Sequence, residues 1–144
     1  HEGIAGGQFS DLSFEKQNKS IKKIIEMQIK KTGKLFSFCC LAPVIISSKF
    51  KELKKFERIG EMIGLLFQIA DDLIDFKGNS KLAGKKTGKD YKKGKATLIS
   101  LLGYSGSIKY CDKIIKNINQ NLNRHVSNTK KISVTLNYIL NRNK

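Results

Sequence analysis

The sequence predicts an all-α protein. Apolar residues recur at helical spacing in long segments along most of the chain, and tryptophan is absent. Only one proline interrupts 144 residues, and the apolar fraction of 40% is enough to build a packed core in a single domain. The most informative stretch is Phe67-Gln68-Ile69-Ala70-Asp71-Asp72-Leu73-Ile74-Asp75-Phe76, where one amide and three carboxylates are set into an apolar background.

Taken in order, His1 to about Phe14 contains Gly3, Gly6 and Gly7, then Gln8 and Asp11 three residues apart, on one face if helical. The glycines imply either a flexible end or close approach of another helix or a ligand. Ser20 to about Ile46 forms the next helix, capped by Ser20, with Ile21, Ile24, Ile25, Met27, Gln28, Leu35, Phe36 and Phe38 carrying the apolar spacing. Lys30-Lys31-Thr32-Gly33-Lys34 interrupts it. A mid-helix glycine costs about 1 kcal/mol, so this segment is either a solvated turn or a place where two donors receive a phosphate. Pro43 is expected to kink the end of this helix.

After a polar link, Lys54 to Lys77 reads as one long helix. At about 100° per residue, Gln68, Asp72 and Asp75 fall within roughly a quarter turn of Asp71. Gly60 and Gly64 lie above the same arc, and apolar side chains fill the rest of the circle. A helix apolar on all other sides is expected to be buried. Three carboxylates on a buried face repel one another and lose hydration, so they need a compensating cation or they become neutral. Lysines in a salt-bridged patch would serve. So would a divalent cation, and an all-oxygen donor set suits Mg²⁺.

Gly78 to Asp90 is rich in glycine and lysine and reads as a loop at the end of the acidic helix. It lacks the spacing of a nucleotide-binding P-loop. Gly94-Lys95-Ala96-Thr97 opens a helix that ends at Gly103; Ser105 to about His125 is amphipathic; Ile132 to Leu140, with Val134, Leu136 and Ile139, is a last short helix.

The net charge is +16, but lysine is spread along the chain and arginine occurs only at positions 58, 124 and 142. That distribution argues against specific nucleic-acid binding and fits attraction of small polyanions such as diphosphates. No uninterrupted apolar run is long enough to span a bilayer, and no secretory signal is visible. Cys39, Cys40 and Cys111 show no metal-ligand spacing and read as small buried apolar residues in a reducing, cytoplasmic setting.

In order, Gly6-Gly7-Gln8-x-x-Asp11-Leu12, Lys31-Thr32-Gly33, Phe67-Gln68-x-x-Asp71-Asp72-x-x-Asp75, Gly84-Lys85-x-x-Gly88-x-Asp90 and Gly94-Lys95-Ala96-Thr97 resemble the C-terminal half of a trans-isoprenyl diphosphate synthase of the farnesyl and geranylgeranyl type. The resemblance covers residues 1 to about 103. It implies the C-terminal portion of the isoprenoid-synthase helical bundle, as one all-helical region over 1–144. It also implies a head-to-tail prenyltransferase acting on an allylic diphosphate and isopentenyl diphosphate, homodimeric when complete.

By the same resemblance, Asp71, Asp72 and Asp75 hold Mg²⁺. Lys31 and Lys85 place ammonium groups on the diphosphate, and Thr32 and Gln68 face the reacting carbons. Gln8, Asp11 and Phe67 belong to the same substrate cavity. The Gly-Gly-Gln-x-x-Asp form leans toward short-chain products. The family's first aspartate-rich motif, its isopentenyl-binding residues and its chain-length determinants are not in this sequence. The chain begins at His1 and not Met, so the expectation is the C-terminal part of a longer protein, inactive by itself. The alternatives are a non-catalytic partner subunit or remnant of such a synthase, or a basic helical nucleic-acid-binding protein.

Overall fold

A computed structural model describes residues 3–77 and 96–141. Helix α1 spans Gly3–Ser13. Helix α2 (Ile21–Gln28) starts at Ser20, whose hydroxyl accepts from the Lys23 N–H, satisfying a first-turn donor as the sequence predicts. The interruption at Lys30 to Lys34 is neither a solvated turn nor a break. Ile29–Gly33 form a turn of π-helix that runs straight into α3 (Lys34–Ile46). Pro43 lies inside the last turn of α3, where it has no N–H to donate to the Cys39 carbonyl, and the helix continues past it to Ile46. A 3₁₀ turn at Phe50–Glu52 leads into α4 (Leu53–Lys77).

Helix α5 (Leu98–Asn123) is capped by Thr97, whose hydroxyl accepts from the Ser100 N–H at 3.3 Å. Gly103 divides α5 at φ 68° and ψ 173°, a conformation that side chains with a Cβ rarely adopt. The end predicted at Gly103 is therefore a kink between two helical pieces. Helix α6 spans Lys130–Asn141. Among the described residues there is no strand, so the all-α expectation holds.

Helix α4 is the central element, packing against α2, the π turn, α3, α5 and α6. Its Ile59, Leu66, Ile69 and Leu73 meet Ile24 and Met27 of α2, Leu98, Cys111, Ile118 and Leu122 of α5, and Leu136 of α6 in one core. The arc above the acidic stripe is bare for a packing reason. A Cβ on Gly60 would lie 2.5 Å from the Ser37 Cα, and one on Gly64 would lie 2.6 Å from the Gly33 Cα. Helix α3 and the π turn therefore rest directly on the backbone of α4. Gly7 of α1 faces the Lys30–Lys31 backbone in the same way, so this glycine serves helix contact.

Lys34 ties α3 to α4 by donating to Glu61 at 2.7 Å and Glu57 at 3.2 Å. The bond to Glu61 raises the ammonium's pKa above the ordinary lysine value, against the opposing effect of partial burial.

Several residues assigned to apolar faces lie elsewhere. Ile21, Leu35, Phe38, Phe76 and Val134 are exposed. The outer face of α3 points away from the core, together with Ile4, Phe9 and Leu12 of α1. Helical periodicity identifies an apolar face but not the body that covers it.

Candidate functional site

The π turn decides which side chains meet the acidic stripe. It widens the helix by one residue, and Lys31 and Thr32 leave it in different directions. The Lys31 Nζ donates to the Asp11 Oδ2 of α1 at 2.5 Å. The Thr32 hydroxyl donates to the Gln68 Oε1 of α4 at 3.0 Å.

From Gln68 the polar chain continues into the stripe. Its Nε2 donates to the Asp72 Oδ1 at 3.0 Å, one helical turn on. The other oxygen of Asp72, Oδ2, accepts from the Gln28 Nε2 at 3.1 Å. Asp72 and Asp75 are buried, and Asp71 is half-buried. Asp11, Gln28, Lys31, Gln68, Asp72 and Thr97 line a common small cavity. A second, more open cavity brings Lys16 and Lys19 of the α1–α2 link beside Asp72, Asp75 and Thr97.

The sequence-predicted residues divide as follows. Thr32, Gln68 and Asp72 form one hydrogen-bonded chain, and the Asp11–Lys31 pair lies on the same small cavity. Asp75 lies on the adjoining cavity. Phe67 packs its ring against Phe36 at 5.5 Å and forms part of the α3–α4 seam. Gln8 is exposed and lines neither cavity. Lys85 and the glycine-rich basic segment lie outside the described residues. Among the described residues, no three acidic, histidine or cysteine side chains converge as ligands of one ion.

Sequence reasoning placed Gln28 among the apolar positions and gave Thr97 no role beyond opening a helix. Gln28 is 3% exposed and bonded to a carboxylate. The available signal was a polar side chain at a core position three residues before Lys31.

Behind the stripe, Cys111 of α5 is fully buried. Burial pushes its thiol up to about 12, and the charges of Asp112 and Asp72 add to the shift. All three cysteines are free, but only Cys111 is buried as the sequence predicts; Cys39 is exposed and Cys40 half-buried, because both lie on α3, whose outer face points away from the core.

The chain matches the polyprenyl synthetase family over residues 1–137. It belongs to that family. A geranylgeranyl diphosphate synthase from Cyanophora paradoxa is 32% identical over 143 residues, covering 98% of this chain and 48% of that protein. A farnesyl diphosphate synthase from Bacillus subtilis is 33% identical over 116 residues, covering 80% of this chain and 39% of that one. Among solved structures, a geranyltransferase from Helicobacter pylori complexed with magnesium and isoprenyl diphosphate superimposes with a TM-score of 0.80 at 26% identity. That match covers 96% of this chain and 46% of the other. The chain thus spans about half the length of the polyprenyl synthetase relatives it matches. Among the described residues, no helix is long and apolar enough to cross a membrane.

Proposed function

We propose that the complete protein is a short-chain, head-to-tail prenyltransferase. It would join an allylic diphosphate to isopentenyl diphosphate and release an allylic diphosphate of the farnesyl or geranylgeranyl type. The observation that carries this reading is the continuous polar chain Thr32–Gln68–Asp72–Gln28, set beside the Asp11–Lys31 pair and opening onto the acidic face of α4. The names of the relatives and the contents of the Helicobacter pylori complex support it.

The donors on this face are carboxylate and amide oxygens, a set that fits Mg²⁺. Asp71, Asp72 and Asp75 would hold the ion, whose charge supports departure of the diphosphate. Lys31 has donors left beyond its bond to Asp11, and that bond fixes where the ammonium sits; with Lys85 it would contact diphosphate oxygens. The Thr32 and Gln68 oxygens would face the reacting carbons, with Phe67 contributing apolar wall that excludes water.

The complete protein is read as a homodimer acting in the cytoplasm. Exposed apolar side chains on α1 and α3 support burial against a further body, and the free thiols support a reducing compartment.

Asp71→Ala in the full-length protein is the direct test. Diphosphate release from an allylic substrate should fall at least about a hundred-fold. Unchanged release would remove Asp71 from the metal site.

A further inference from the structure

Asp72 is held by two amides from two different helices, one on each oxygen. Gln68 satisfies its own carbonyl by accepting from Thr32. Gln28 does not. Its Oε1 is buried, and among the described residues it has no hydrogen-bond partner. Turning the amide over would aim that oxygen at a carboxylate, so the orientation is fixed by Asp72. A residue serving only the core would be more stable here as an apolar side chain of similar volume, because a buried acceptor without a donor is unfavourable. Gln28 also lines the small cavity beside Asp11, Lys31 and Thr97, whose volume of about 20 Å³ admits one water molecule.

We propose that Gln28 is a positioning residue of the cation site. Its N–H orients Asp72 toward the bound cation, and its carbonyl accepts a hydrogen bond from a water of that cation's hydration shell. The inference rests on the Mg²⁺–diphosphate reading above and names a residue that reading does not require.

The test is calorimetric titration of the full-length protein with Mg²⁺ and inorganic pyrophosphate, so that no turnover is needed. Gln28→Met keeps the volume and removes the N–H. It should weaken Mg²⁺–pyrophosphate binding about ten-fold. In an Asp72→Asn background the same substitution should cost less than it does in the wild type, because the orienting bond to the carboxylate is already gone and only the water contact is left to lose.

Unchanged affinity in Gln28→Met, or a full additional loss in the Asp72→Asn background, overturns the proposal. If Gln28→Met does not fold, Gln28→Glu retains the shape and sets a carboxylate against Asp72. Its affinity should fall by more than ten-fold, and wild-type affinity there also overturns the proposal. Asp71→Ala serves as the separate control. Wild-type pyrophosphate binding by that variant would reject the site itself, whereas lost binding there with unchanged binding in Gln28→Met rejects only the role of Gln28.

Discussion

Gly60→Ala on α4 should destabilise the protein, although the same change in an exposed helix would stabilise it. The added Cβ would lie 2.5 Å from the Ser37 Cα and 2.7 Å from both the Phe36 carbonyl oxygen and the Ser37 nitrogen. Carbon atoms pack at about 3.5–4.0 Å, so α3 and α4 must part by about 1 Å. Every obstructing atom is backbone, and no flexible side-chain end can yield. Overpacking of this kind costs about 1–3 kcal/mol. With three backbone atoms obstructed the cost lies in the upper part of that range, about 2–3 kcal/mol; helix propensity returns about 1 kcal/mol, so the net loss is roughly 1–2 kcal/mol.

The separation would also strain the Ser37 hydroxyl bond to the Glu57 carbonyl, which measures 2.7 Å. Two turns further along, it would lengthen the Thr32–Gln68 bond. Thermal and urea unfolding of the full-length protein measure the effect, at roughly 2–4 °C per kcal/mol for a domain of this size. A midpoint equal to or above wild type would show that the helices do not need backbone contact at Gly60. The packing explanation for the bare arc would then be wrong.

Two further outcomes follow from the same structure. Cys111 has a folded pKa of about 12, raised from an ordinary value of 9.0, so the folded state retains a proton that the unfolded chain loses. Its stabilising contribution is full below pH 9 and declines as pH rises from there toward 12. At pH 10 about 1.4 kcal/mol of it should be gone, and Cys111→Ala should show a correspondingly shallower decline between pH 8 and pH 10 in urea titrations. Separately, a polypeptide of these 144 residues alone is expected to transfer no isopentenyl group, because it contains only one aspartate-rich helix face. A radiometric assay with Mg²⁺ and both diphosphates checks this, and measurable product would overturn it.

Much of the frame was legible because local signals set it. Ser20 and Thr97 are caps by chemistry and by spacing, and both cap their helices. The long apolar pattern with one polar arc predicted α4 to within a residue of its start, as well as the burial of Asp72 and Asp75. The order of the motifs carried the family. What stayed hidden depended on tertiary context. Nothing local distinguishes a solvated Lys-Thr-Gly turn from a π turn pressed against Gly64. Gln28 at an apolar position resembles ordinary fill until the carboxylate across from it is known. Leu35 and Phe38 are apolar whether they face this core or another body.

The π turn makes segment length a determinant of the site. Removing any one residue of Ile29–Gly33 would let the helix close as an ordinary α-turn and rotate what precedes it by about 100° relative to α3. Every side chain would keep its identity, yet Gln28 and Lys31 could not both hold their present partners on α4 and α1. In comparisons among polyprenyl synthetases, the count of residues between the glutamine and the glycine is therefore as diagnostic as the residues themselves. A relative that preserves Lys-Thr-Gly but shortens the approach to it has a differently aimed lysine.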